Sequence, residues 1–365
     1  MSHVREKSWR ERLRSIRSRK SFAQSFLLRT MAGQKLFLHS DDLPRVINIS
    51  MNEKTCFYSC AMCPYADTAV RAMYAQNSEM SFDTLKNIVA SIPNDPYYSF
   101  DISAIGETLQ FSHLPEFIAY MKRSKPLVNT IVSTNGLLLS ESVFLALARS
   151  GLDNLQVSLF AENAEDHETI TKTKTFAKVK ENLLRAAALK KSHHLPGPYL
   201  QTFMMEANET SGRVEPFVSY WSAIVDQAFS RPIYNVGRKI EGLTAAFAPP
   251  RDNERYPCIV PWYSTAIRSN GDVLHCYMFH WNKEAKDRTV GNINEKSLRE
   301  IWQEPAFLAF RKAHLRQDLD EYPLCQSCDG WAAYTNVWKR TSQGFAYAPV
   351  RARDFLKRAT EQRGG

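Results

Sequence analysis

Residues 55–65 read TCFYSCAMCPY and place Cys56, Cys60 and Cys63, three of the chain's seven cysteines, on one short segment. Three thiols cannot pair off among themselves, and cysteines this closely spaced point to metal ligation rather than to cross-linking. The preceding VINISM (46–51) has the apolar, β-branched character of a strand, so the trio sits on the loop after a first strand. That is where a parallel α/β sheet presents its chemistry. Three thiolates ligate a four-iron cube incompletely and leave one iron open to a substrate or cosubstrate. Structural zinc closes a tetrahedron with four ligands. The nearest histidines, His39 and His113, do not have the spacing to supply the fourth.

The 365 residues, 44% hydrophobic and 12% aromatic, are enough for one large α/β domain and a smaller appendage. No apolar run reaches the roughly 18 residues of a membrane span, and the N-terminus MSHVREKSWRERLRSIRSRK is charged where a secretory signal is apolar. A cytoplasmic location follows as the expectation, and there thiols stay reduced. The net charge is +9, and much of the excess lies before residue 36. Residues 1–44 are therefore expected to form a basic, helical arm. Trp9, Leu13, Ile16, Phe22, Phe26 and Leu27 are interleaved with its charges, so it could lie on the core, an acidic partner or an anionic membrane surface. A solvated helix is the simpler expectation. No nucleic-acid reading motif accompanies the charge, which argues against a specific nucleic-acid partner.

Strand-like and helix-like segments then alternate. Helices are expected at 81–92, with Ser81 as N-cap, 114–124, 140–151, ending at Gly151, 178–191 and 214–228. Strands are expected at 99–106, 129–136, 152–160, 198–208 and around Ile233–Val236. About six β/α units argue for a parallel sheet with helical crossovers, short of the eight that close a full barrel. The Pro-rich, charged stretch APPRDNERYPC (248–258) marks a boundary. The expected division is an arm (1–44), a core (45–250), a small C-terminal domain (251–345) and a tail (346–365).

The other four cysteines, Cys258, Cys276, Cys325 and Cys328, make a set that can close on itself. IRSNGDVLHC reads as a hairpin turning at Asn270-Gly271, which returns Cys276 toward Cys258. From spacing alone, a structural zinc and an iron–sulfur cluster both remain open.

CxxxCxxC after a first strand resembles the radical S-adenosylmethionine (radical SAM) enzymes, and the resemblance runs from about residue 45 to 331. It implies a partial (β/α)6 barrel and a 4Fe-4S cluster on Cys56, Cys60 and Cys63. The open iron of that cluster would be chelated by S-adenosylmethionine, whose reductive cleavage gives a 5′-deoxyadenosyl radical. AIGETL is similar to the family's GGE-type motif, with Ile105 in place of its first Gly. Gly106 and Glu107 would then meet the cosubstrate's amino group. VSTNG and VSLF carry Ser133, Thr134, Asn135 and Ser158 at the positions that meet its ribose and carboxylate, and Asn208 ends the fifth strand where another polar contact is usual. There are two departures. Met62 replaces a common adenine-packing aromatic, a soft substitute. After HETI the chain has Thr171, Lys172, Thr173 and Lys174 where Arg-Gly is usual, so Lys172 would meet the carboxylate without the fork of Arg. Cys258 and Cys276, the VGNI…L..IW segment and the closing CxxC resemble the SPASM/twitch extension. Four cysteines there imply the shorter twitch form, a small C-terminal domain with one auxiliary 4Fe-4S cluster fully ligated by protein.

With all seven thiols so assigned, none remains for thiyl chemistry. Twitch-type relatives include dehydrogenases of aminocyclitol alcohols. The resemblance thus implies a two-electron oxidation of a sugar- or cyclitol-like molecule, with a flavodoxin- or ferredoxin-like electron donor. A peptide maturase and a redox-neutral epimerase or lyase are the alternatives. Glu206, Tyr234, Arg238 and His275 are candidate bases near strand ends.

Overall fold

Along β1 (Val46–Ser50), Ile47 and Ile49 are fully buried and alternate with Asn48 and Ser50. One face of the strand is therefore apolar and the other polar, and this period of two sets the architecture. The computed structural model describes residues 42–347 apart from 54–55, 75–77, 104, 234–254, 282–288, 333–337 and 342–343. Nearly all of the basic arm and of the tail, together with Tyr234 and Arg238, lie outside the described residues.

After β1 come the cysteine loop, α1 (Thr68–Ala72), α2 (Phe82–Ala90) and β2 (Ser99–Ser103). The alternation continues through α3 (Leu114–Ser124), β3 (Asn129–Thr134), α4 (Glu141–Arg149), β4 (Asn154–Phe160), α5 (Ala164–Thr171), α6 (Phe176–Ser192), β5 (Tyr199–Glu206), α7 (Val214–Ser222) and β6 (Gln227–Pro232). Strands β1 to β6 are parallel neighbours in chain order. Phe100, Val132, Leu155 and Met204 point outward from them and join one core with Ile88, Phe117, Phe144, Leu183 and Phe217 of the surrounding helices. Helix starts are chemically specified: Ser81 and Ser140 accept the Thr84 and Val143 N–H groups at 3.1 and 3.3 Å.

The C-terminal segment adds α8 (Val260–Tyr263), β7 (Ser264–Ile267), β8 (Asp272–Leu274), β9 (Thr289–Asn292), α9 (Leu298–Trp302), α10 (Pro305–Arg316) and α11 (Pro323–Ser327). A two-stranded ribbon, β10 (Trp338–Thr341) with β11 (Gly344–Tyr347), follows. Strand β7 pairs in parallel with β1 on the edge opposite β2, and β8 and β9 continue antiparallel, giving a nine-stranded sheet β6-β5-β4-β3-β2-β1-β7-β8-β9. The turn expected at Asn270-Gly271 joins β7 to β8, with Gly271 at φ +91°. Among the described residues, no helix is long and apolar enough to cross a membrane.

The sixth unit differs from the sequence expectation. Ile224 and Val225 continue the apolar period, yet α7 stops at Ser222 and the strand is Gln227–Pro232 rather than around Ile233. The Asp226 carboxylate accepts the Leu200 N–H at 2.6 Å, and the Asp226 N–H donates to the Leu200 carbonyl at 3.0 Å. This pair of bonds ties the chain to β5 and starts the strand early.

Gly136, just after β3, holds φ +76°, and a Cβ there would sit 2.7 Å from Val157 Cγ1. Left-handed strain alone costs about 1–2 kcal/mol. Gly136→Ala is expected to destabilise by about 2 kcal/mol or more in urea denaturation, whereas Gly212→Ala, which meets nothing within 4 Å, stays within about 0.5 kcal/mol.

Candidate active site

The cysteine loop is moored to the end of α5. Ser59 and Ala61 donate backbone N–H bonds to the Thr171 and Ile170 carbonyls at 3.3 and 2.7 Å, and Thr175 Oγ1 donates to Tyr58 Oη at 2.6 Å. Arg71 braces the other side through Ser59 Oγ at 2.9 Å and the Tyr65 carbonyl at 3.2 Å. Cys60 is buried, and Cys56 and Cys63 are half-buried. Burial pushes the Cys56 thiol up to about 11, and the nearby Glu107 and Cys63 add to the rise against the Tyr58 N–H. Cys60 is raised well above its ordinary value by burial and by both neighbouring cysteines. The protein thus gathers thiols whose negative charges it cannot itself balance, which suits a bound cationic group that deprotonates its ligands.

Glu107, 2% exposed, faces inward after β2. Its carboxylate accepts from Thr134 Oγ1, from the Asn135 N–H at 2.9 Å and from the Leu109 N–H at 3.0 Å, while burial raises its pKa. It thereby fixes the turn after β3, where Asn135 Nδ2 lies 3.9 Å from Cys56 Sγ. Gly106 precedes it with φ +125°. Met62 packs with Ala161, Ile170, Ala207 and Ile233. Ser133 Oγ donates to Gln156 Oε1 at 3.4 Å, and Ser158 is buried on β4. Lys172, exposed and left-handed at φ +59°, caps α5 beside the cysteine loop. Asn208 is exposed, with its carbonyl accepting from Ser211 Oγ at 3.0 Å.

The structure brings together residues the sequence did not single out. On the inner face of the sheet, Gln156, Gln201 and Gln227 lie side by side on β4, β5 and β6, joined at 3.3 and 2.6 Å. Arg231 Nη2 donates to Gln156 Oε1 at 2.8 Å, with its guanidinium 4.3 Å from the Phe203 ring centroid. Asp101, on the inner face of β2, feels Arg231 across the sheet; burial pushes its carboxyl up to about 6 and Arg231 opposes the rise. On β4 the polar residues Asn154, Gln156 and Ser158 fall at every second position and were an available signal; on β5 and β6 the same face also carries Phe203, Met205 and Phe229, which hid it. Of the candidate bases, Glu206 accepts from Ser230 Oγ at 2.8 Å. His275 proves to be a core residue: it is 5% exposed, packed on Phe279, Phe307, Phe310 and Tyr322, with Nε2 3.3 Å from the Ala306 carbonyl.

Cys258, Cys276, Cys325 and Cys328 line one cavity of about 30 Å³, above the roughly 10–15 Å³ that one water needs. Burial raises all four thiols, Cys258 to about 12. The Met278 and Gly330 N–H groups donate to Cys276 and Cys328 Sγ at 3.4 Å each, as Tyr58 does to Cys56. Amides aimed at sulfur two residues back suit ligating thiolates. Among the described residues, no three His, Cys, Asp or Glu side chains converge on a single-ion site. The four thiols surround a space rather than the point about 2.3 Å away that a lone zinc needs.

A largely parallel sheet with two gathered sets of thiols defines an α/β protein with two candidate metal centres. The comparisons make the class specific: residues 54–201 match the Radical SAM superfamily model, and residues 258–329 match SPASM, an iron–sulfur cluster-binding domain. The chain therefore carries a radical SAM domain followed by a SPASM-type C-terminal domain. These two domains imply a 4Fe-4S cluster with S-adenosylmethionine and an auxiliary iron–sulfur cluster. BtrN, solved in complex with AdoMet and 2-DOIA, is similar at TM-score 0.51 and 18% identity over 79% of this chain and 93% of its own. anSMEcpe with bound AdoMet and Cp18Cys peptide aligns at 0.53 and 14% over 87% and 97%. Streptococcus suis SuiB bound to S-adenosylmethionine aligns at 0.55 and 15% over 80% and 72%. At these identities the likeness is one of fold. No curated protein sequence matches the chain.

Because the folded-state pKa of Asp101 is raised, the unfolded chain ionises first. The stability it contributes is complete below about pH 4 and is lost as pH rises through about 6. Asp101→Asn is therefore expected to be more stable than wild type by about 3 kcal/mol at pH 7.5, with the difference vanishing near pH 4 in urea titrations.

Proposed function

We propose that the chain is a radical SAM dehydrogenase that oxidises a polar small molecule of sugar or cyclitol type by two electrons. The observation that carries this is the sorting of all seven cysteines into an open trio and a closed set of four. Cys56, Cys60 and Cys63 would hold the first cluster, and Cys258, Cys276, Cys325 and Cys328 the auxiliary one. When bound, these groups supply a hydrogen-abstracting 5′-deoxyadenosyl radical at the first site and a one-electron sink at the second.

This chain's own residues do the rest. Gly106, Ser133, Asn135, Ser158, Lys172 and Asn208 would meet the cosubstrate, with Met62 against its adenine. Glu107 already spends its carboxylate on Thr134 and Asn135, so we assign it mainly to positioning that turn. Asp101, on the inner face of β2 with its carboxyl pushed up to about 6, would take a hydroxyl proton from the substrate. Arg231, Gln156 and Gln201 offer fixed polar groups to orient it, and a matched carboxylate and guanidinium favour a ligand of little net charge. An outside electron donor of the flavodoxin or ferredoxin type is part of this proposal.

A peptide substrate is the second reading. It is favoured by the 87% and 97% coverage of the fold shared with anSMEcpe, whose structure holds a peptide.

Anaerobically reconstituted protein is expected to carry about eight irons per chain and, with dithionite, to form 5′-deoxyadenosine from S-adenosylmethionine. Cys60→Ala should lose about four irons and all of that product. Wild-type product from Cys60→Ala, measured by chromatography, overturns the assignment.

A further inference from the structure

Four thiols do not account for everything that lines the second cavity. His314, near the end of α10, is 1% exposed and lines the cavity with the four cysteines, and neither ring nitrogen has a hydrogen-bond partner among the described residues. Arg255 lines it too. Its two terminal nitrogens donate to the Gln326 carbonyl at 3.0 Å and to the Cys325 carbonyl, its guanidinium lies 5.6 Å from the Trp331 ring centroid, and its buried Nε has no partner. An unmade bond at a buried polar group costs about 1–3 kcal/mol. Buried donors left open in one cavity call for acceptors that the cavity's occupant brings. The side chains of Val260, Phe279, Phe310 and Leu324, which also line the cavity, offer none.

We propose that Arg255 and His314 are donors to the sulfurs of the auxiliary cluster and hold its reduction potential high, so that this cluster accepts the electron leaving the substrate. The proposal rests on reading the four cysteines as a cluster site. Neither residue is a fifth ligand, since four thiolates complete a cube. Their effect follows from charge. Reduction makes a thiolate-bound cluster more negative, and a fixed guanidinium in a water-poor site favours the more negative form. N–H bonds to cluster sulfurs act in the same sense. A domain that only braced the fold would need neither donor, and apolar side chains of similar volume would be the cheaper filling.

The test is an EPR-monitored redox titration of the reconstituted full chain in the Cys60→Ala background, where the auxiliary cluster is read alone. Arg255→Met and His314→Phe are each expected to lower the reduced-to-oxidised ratio at a given potential about tenfold, or about 59 mV for one electron. Iron should stay near four per chain, and Arg255→Lys, which keeps the charge, should retain most of the wild-type potential. Arg255→Met stands as the independent variant should His314→Phe fail to hold iron. Unchanged potentials at full iron content overturn the proposal, and so does loss of iron in both variants, which would make the pair a cradle rather than a tuning device. A Cys60→Ala protein without any cluster overturns it together with the reading of the four cysteines, and its iron content alone identifies that outcome.

Discussion

The arrangement depends on how β1 is held. It pairs with β2 on one edge and β7 on the other, so the strand that leads into the cysteine loop is also the strand on which the C-terminal segment docks. Asn48 Nδ2 reaches across to Ser264 Oγ at 2.8 Å and to the Thr265 carbonyl at 3.0 Å. Beyond the strand, Arg268 grips Glu53 through Nε at 3.1 Å and Nη2 at 2.9 Å, with the Glu53 side chain only 5% exposed. A buried bidentate pair adds little net stability, but losing one partner is costly, about 3–5 kcal/mol. Its role is therefore registration: it fixes the hairpin that ends at Cys276 relative to the loop that begins at Cys56.

From that registration the two sets of thiols acquire different surroundings. The trio opens toward the polar inner face of the sheet, near Asn135 and the Glu107 network. The set of four is enclosed by Phe279, Phe310, Leu324 and Trp331. Tyr277, the residue after Cys276, packs against both the core beside Cys63 and the core around Phe310. In the proposed reaction, the first site is where a molecule must enter and the second is where only an electron needs to arrive, and the walls of the two match those needs.

Much of this was legible in the sequence, for identifiable reasons. The cysteine spacings, the strand before them, the Ser81 cap and the Asn270-Gly271 turn are local signals whose physics is contained in a few residues. What escaped was nonlocal. Leu200 and Asp226 decide where the sixth strand begins, and the pairing of β7 with β1 joins segments more than two hundred residues apart. His275 looked available for chemistry because its strand-end position was visible and its aromatic cage was not. Asp101 was passed over because a single acid within SFDIS carries meaning only once Arg231 is seen across the sheet. His314 and Arg255 gave no spacing signal at all; only the shared cavity relates them to the cysteines.

In the proposed reaction the two thiol sets differ chemically: one would hold a cluster with a bare iron corner, the other a cluster with none. Mössbauer spectroscopy of ⁵⁷Fe-reconstituted protein, recorded before and after S-adenosylmethionine is added, tests this difference most directly. About one iron in eight is expected to change its signature on addition, and that iron should belong to the cluster lost in Cys60→Ala. A spectrum in which no iron responds, or in which the responding iron survives removal of Cys60, would contradict the proposal.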